Sequence, residues 1–223
     1  LVVAAAGVPV AKHGNRAASS KSGAADTLEA LGLDLDRAGA RAEESLHELG
    51  IAFLFAQAHH PSLARIGPLR RRIGRRTIFN LMGPLANPAR VTHQLIGIAR
   101  PDYAQVYAEA LGQLGAEAAA IVSGEDGLDE LSTEQASVVV NVGRCSLPAR
   151  IVPEDAGLPR HPLSAIRGAG PEDNAIALRR LLQGEPGAYR DAVLLNAAAA
   201  LVIAGEAGDL REGAEEAAEV IDK

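Results

Sequence analysis

Three stretches of the chain concentrate side chains able to handle anions or a metal ion. The first is Lys12-His13-Gly14-Asn15-Arg16-Ala17-Ala18-Ser19-Ser20. Lysine and arginine supply positive charge, glycine permits close backbone approach, and the serines add hydroxyl donors. A helix starting just beyond would point free N–H groups outward, and together these are what a phosphate group requires. The same composition also describes a solvated turn with a serine cap. The second stretch, Arg70-Arg71-Arg72-Ile73-Gly74-Arg75-Arg76, places five arginines in seven positions. Most arginines in such a run serve a solvated face. On a helix they point in different directions, so one or two can turn into a cleft and hold a carboxylate through two parallel bonds. The third, Gly124-Glu125-Asp126-Gly127-Leu128-Asp129-Glu130-Leu131-Ser132, sets the adjacent carboxylates of Asp129 and Glu130 in a loop bearing glycines. Such a pair suits Mg²⁺, a hard octahedral cation that completes its shell with water and phosphate oxygens. A plain acidic surface loop is the alternative, and the twelve-residue calcium pattern is not matched.

Other reactive residue types carry less. His59-His60 before Pro61 has neither a helical His partner nor nearby cysteines, which favours a helix entry over a metal site. Ser123-Gly124 lacks the flanking glycines of a hydrolase elbow, and no G-x-G-x-x-G fingerprint occurs. Metal hydrolase, serine hydrolase and NAD enzyme all lose support. A single cysteine, Cys145, excludes an internal disulfide and reads as an ordinary strand residue in a chain suited to the reducing cytoplasm. With 28 acidic against 22 basic side chains the net charge is −6, which repels nucleic acid and makes any anion site local. Residues 1–6 are apolar but too short to span a bilayer and lack the charged start of a signal peptide, so no membrane partner is expected.

These stretches need elements to position them. A length of 223 residues corresponds to one large domain or slightly more. Residues 1–6 read as the end of an alanine-rich helix stopped by Gly7 and Pro9. A short strand at 8–11 and a loop at 12–23 follow. The next helix is capped by Ser20 or Ser22, carries Ala24, Leu28 and Leu31 on one face, and is stopped by Gly32. Asp36 caps a second helix, with Ala38, Ala42, Leu46 and Leu49 on one side and Gly50 at its end. After the apolar stretch 51–56 comes a basic helical run at 62–76. Strands at 94–99, 118–123, 137–142 and 150–152 then alternate with a helix at 102–114. Helices at 171–182, 186–204 and 209–222 close the chain. Strands alternating with helices indicate an α/β fold, with 34–76 able to pack as a separate helical lobe. Abundant alanine and glycine with only 3% aromatics favours close-packed helices.

Taken together, the motifs resemble the anthranilate phosphoribosyltransferase family. The likeness rests on Lys12 to Arg16, Ser19 to Gly23, the run from Arg75 to Pro88, Gln94-Leu95-Ile96-Gly97, Leu128 to Ser132, and Arg190 to Leu201, in the family's order along the whole chain. The resemblance implies Mg²⁺-dependent transfer of phosphoribosyl from phosphoribosyl pyrophosphate to anthranilate in tryptophan biosynthesis. It implies phosphoribosyl pyrophosphate along Lys12, His13, Gly14, Asn15, Arg16, Ala17, Ala18, Ser19, Ser20 and Ala24. Anthranilate would meet Asn15, His13 and Arg70, and Mg²⁺ would sit at Asp129 and Glu130. Ala24 stands where serine is common, so a contact there would come from backbone. The implied fold is a large α/β domain, 1–33 and 77–223, with a mixed central sheet flanked by helices. Residues 34–76 would be a remnant of a small helical domain through which family members form homodimers. The family's glycine-rich pyrophosphate loop falls upstream of Leu1, which predicts weak transfer by this chain alone. A pyrimidine-nucleoside phosphorylase-like relative and a non-catalytic binding member of the fold are the competing readings.

Overall fold

A computed structural model describes the protein at residues 1–17, 21–60, 69, 72 and 81–223. The described chain forms two compact units, Pro9–Arg90 with Gly168–Ala177, and Leu1–Val8 with Val91–Arg167 and Leu178–Lys223. A one-turn helix α1 (Val2–Ala5) begins the latter.

In the first unit, strand β1 (Val10–Gly14) pairs in parallel with β2 (Ile51–Phe55), setting Lys12 opposite Phe53 and His13 opposite Leu54. Between them run α2 (Ala24–Ala30), α3 (Leu35–Ala40) and α4 (Ala42–Leu49). The single helix expected from Asp36 is therefore two, broken at Arg41. Asp34 is the cap, because its carboxylate accepts the Arg37 N–H at 2.9 Å. Gly32 and Gly50 stop α2 and α4 as expected, both with positive φ, +101° and +70°. Residues 51–55 lie inside the stretch read as helical yet form a strand, buried from Ala52 to Phe55. Ala25, Leu35, Phe53 and Phe55 make the core of this unit, with Leu28 and Leu33 against it. A short helix α5 (Ala56–His59) follows β2 and ends at the histidine pair, and the helical run that the pair was expected to enter lies outside the described residues.

The second unit is built on a four-stranded mixed sheet in the order β3 (His93–Gly97), β4 (Ala118–Gly124), β5 (Ser137–Gly143) and β6 (Arg150–Ile151). β3 and β4 are parallel, joined through α6 (Ala104–Gln113), and the other pairs are antiparallel. All seven residues of β4 are buried, which suits a strand covered on both faces and explains its unbroken run of small and apolar residues. α7 (Pro171–Leu182), α8 (Ala188–Ala204) and α9 (Leu210–Asp222) complete the chain. Ala118, Ala120 and Val122 of β4 pack with Leu195, Ala198 and Ala199 of α8. α9 lies so close to α8 that a Cβ on Gly213 would come within 2.9 Å of the Ala198 backbone. The mixed α/β fold and the close-packed alanine helices thus stand as expected. Cys145 lies just beyond β5 rather than within it, its thiol 3.0 Å from Asn141 Oδ1. Among the described residues no helix is long and apolar enough to cross a membrane.

Candidate functional site

Lys12, His13 and Gly14 finish β1 instead of starting a loop, so the strand ladder fixes their backbone. At Gly14 the Phe53 ring lies 2.8 Å from where a Cβ would stand. The Gly83–Ala86 turn is stitched to this strand end. His13 Nδ1 donates to the Gly83 carbonyl at 3.3 Å, His60 Nε2 lies 3.0 Å from the Ala86 carbonyl, and Asn87 Nδ2 donates to the Ala11 carbonyl at 2.9 Å. The His13 and His60 rings meet edge to face, 5.1 Å between centroids. Donation from Nδ1 leaves the His13 lone pair on Nε2, which is buried without a partner among the described residues, as is His59 Nε2. Burial pushes the His13 imidazole below its ordinary range. The charges of His60, His59 and Lys12 push the same way, and the Gly83 carbonyl opposes them. A neutral imidazole of this kind accepts a hydrogen bond from an N–H or O–H donor.

Beyond β1 the chain turns back on itself around one carboxylate. Asp26 accepts the Ala17 and Gly23 N–H groups, each at 2.9 Å, and those two bonds hold it well below the usual carboxylate range. A Cβ on Gly23 would sit 2.5 Å from Ala17 N, so glycine is needed for this reversal. α2 therefore begins after a Gly23 cap, where serine capping from Ser20 or Ser22 was expected. Arg16 bonds Glu29 at 2.6 and 3.0 Å and Asp26 at 3.2 Å, and lies 5.7 Å over the Phe55 ring. Glu29 is held low by that bond, and the Arg16 charge is matched within the protein. Asn15 Oδ1 accepts from Arg16 N at 2.8 Å and Gln57 Nε2 at 3.3 Å. Ala24 opens α2. Ala18, Ser19, Ser20 and Arg70 lie outside the described residues.

The acidic loop in the other unit is closed by a different carboxylate, Asp126. It accepts the Leu128 N–H at 3.1 Å and the Ser132 hydroxyl, whose oxygen in turn accepts from Glu134 N and Gln135 N at 2.9 and 3.1 Å. Ser132, Thr133 and Ser137 are buried, and Ser132 N donates to Ser137 Oγ at 2.9 Å. Asp129 and Glu130 are exposed at the crest. Two neighbouring hard carboxylates with room for water and phosphate oxygens match the donor chemistry of Mg²⁺. Among the described residues no group of three or more His, Cys, Asp or Glu side chains is placed to hold a metal. Sequence reasoning missed Asp26 and Asp126 as the residues that close the loops, and Gly97 and Asn196 as neighbours of the acidic loop. A lone Asn in an apolar alanine helix was the visible signal for the last of these.

The whole chain, residues 1–223, matches the glycosyl transferase family, a/b domain. It is 64% identical over 225 residues to the anthranilate phosphoribosyltransferase of Novosphingobium aromaticivorans, covering all of this chain and 68% of that protein. The chain belongs to the anthranilate phosphoribosyltransferase family. Among solved anthranilate phosphoribosyltransferases, that of Thermus thermophilus superposes with a TM-score of 0.92 at 48% identity, over 99% of this chain and 66% of that one. The Saccharomyces cerevisiae enzyme in complex with PRPP and Mg gives 0.87 at 27% identity, over 99% and 63%. The yeast enzyme has also been solved with 4-fluoroanthranilate. The chain thus spans about two thirds of the length of its relatives.

Proposed function

We propose that the protein transfers the phosphoribosyl group of phosphoribosyl pyrophosphate to anthranilate, giving N-(5-phosphoribosyl)anthranilate and pyrophosphate in tryptophan biosynthesis. The observation that carries this reading is 64% identity across the entire chain to a relative named for that reaction. Lys12 to Ser20 and Ala24 bind the sugar donor, His13, Asn15 and Arg70 bind anthranilate, and Asp129 with Glu130 hold Mg²⁺. The amine nitrogen bonds to the anomeric carbon as the bond to pyrophosphate breaks, pyrophosphate leaves with the electron pair, and the amine gives up one proton to solvent. An aromatic amine is already nucleophilic, so the residues work mainly by orientation and charge. His13, neutral with a free acceptor at Nε2, is suited to orient the amine N–H, and Arg70 to hold the carboxylate. Bound at the paired carboxylates, Mg²⁺ would offset charge on the departing pyrophosphate. By the same reading the protein is a cytoplasmic homodimer.

Incubation of the protein with phosphoribosyl pyrophosphate, Mg²⁺ and anthranilate tests the proposal through loss of anthranilate fluorescence. Product should form with anthranilate and not when phosphate and uridine replace the two substrates. Turnover of uridine alone would overturn it in favour of a nucleoside phosphorylase.

A further inference from the structure

We propose that Asn196 is the positioning residue for the Asp129–Glu130 pair, an inference that rests on the reading of those carboxylates as the Mg²⁺ site. Asn196 lies midway along α8, in a run otherwise made of alanine and leucine. Its side chain is fully engaged. Oδ1 accepts the Leu131 N–H at 2.9 Å, while Nδ2 donates to the Leu131 carbonyl at 3.0 Å and to the Ala192 carbonyl at 2.9 Å. The first two bonds pair the amide with a peptide unit as a neighbouring strand would. The third, to the carbonyl one turn back in the same helix, fixes the rotamer from which that pairing is made.

The clamped residue is the one next to Glu130, and Leu131 itself is wholly buried in the core between sheet and helix. On the other side the loop rests on β3, for a Cβ at Gly97 would fall 1.6 Å from the Asp129 carbonyl oxygen. α8 grips the loop at a further point. His161 Nε2 bonds Asp191 at 2.6 Å, and His161 N donates to the Thr133 carbonyl at 2.8 Å. The two exposed acids therefore stand on backbone fixed from both directions, with Asn196 holding the residue that follows Glu130. Ligands held in one arrangement bind an ion more tightly than ligands that must be ordered by it, and loss of such supporting groups typically weakens metal binding about 10- to 100-fold.

Only an amide fits this role. Aspartate would set a carboxylate against two carbonyl oxygens, leucine would leave the Leu131 peptide unpaired, and glutamine is one methylene too long. The test is Mn²⁺ binding in the presence of pyrophosphate, read by electron paramagnetic resonance, on the wild-type chain, Asn196→Ala and the double variant Asp129→Asn with Glu130→Gln. Thermal melting establishes that each is folded, and Asn196→Ser replaces the alanine variant if the latter does not fold. Binding about tenfold or more weaker in the Asn196 variant, and abolished in the double variant, is the expected result. Wild-type affinity in the Asn196 variant, with loss in the double variant, overturns the positioning role and leaves the metal reading standing. Retention of Mn²⁺ by the double variant overturns the metal reading and the inference together.

Discussion

The loops that follow β1 and β4 are built to the same plan and end with opposite electrostatics. Each closes on an aspartate that collects donors of its own loop, Asp26 for Ala17 and Gly23, Asp126 for Leu128 and Ser132. In the first loop Asp26 and Glu29 also engage Arg16, so a residue read as a phosphate ligand has its charge matched internally. Among the described residues, what remains to meet an anion there is the Lys12 ammonium and the side-chain N–H groups of Asn15. In the second, the structural work falls to Asp126, and Asp129 stands exposed without a hydrogen-bonding partner among the described residues. On the proposed reading, the first loop would meet a polyanion with Lys12 as its unmatched charge, and the second would meet a cation with carboxylates exposed at its crest.

The comparison breaks most visibly at the exposed acids. Replacing Asp129 and Glu130 by Asn and Gln is expected to lower Mg²⁺-dependent transfer about 100-fold or more, read as initial rate against Mg²⁺ concentration. An unchanged Mg²⁺ curve would show that the second loop is only a surface. Anchoring is the next contrast. Leu131 is wholly buried, whereas among the described residues no side chain from Asn15 to Ala17 is, so Leu131 ties the acidic loop to the core. Leu131→Ala should cost about 2–5 kcal/mol in denaturant unfolding, and a loss below about 1 kcal/mol would refute that anchoring.

Much of this was legible along the chain because it is local. The run from Ala118 to Ser123 reads as a strand, and the glycine stops at 32 and 50 fall where expected. Pairing between distant segments was not legible. Lys12-His13-Gly14 are polar enough to look like a loop, and only the partner Phe53-Leu54-Phe55, hidden in a helix-rich stretch, makes them strand. Nor does sequence separate Asp126 from Asp129, three residues apart in one acidic motif, since the difference is the hydroxyl of Ser132 reaching back. Arg16 illustrates the same limit, because the acids that engage it lie in the first and second turns of the following helix.

Two smaller effects sharpen the contrast on the first loop. Burial depresses His13, so an unfolded chain takes up a proton near pH 6.5 that the folded protein declines until lower pH. The stability this histidine supports is complete above that pH and is lost as pH falls toward the folded value. His13→Gln should therefore remove up to about one proton of uptake on unfolding, flattening the dependence of melting temperature on pH below 6.5. A wild-type slope in the variant would place the titration elsewhere.

The smallest effect bears most directly on how the first loop uses charge. If Arg16 is neutral to an incoming anion because Glu29 engages it, then Glu29→Gln returns part of that positive charge to the loop, while Asp26 still holds the guanidinium in place. Exposed ion pairs of this kind contribute at most about 1 kcal/mol, so pyrophosphate binding should tighten about two- to threefold, measured by calorimetry at low salt and fading as salt is raised. Weaker binding would mean that Glu29 orients Arg16 toward the anion, so that the arginine meets the phosphate with its charge intact.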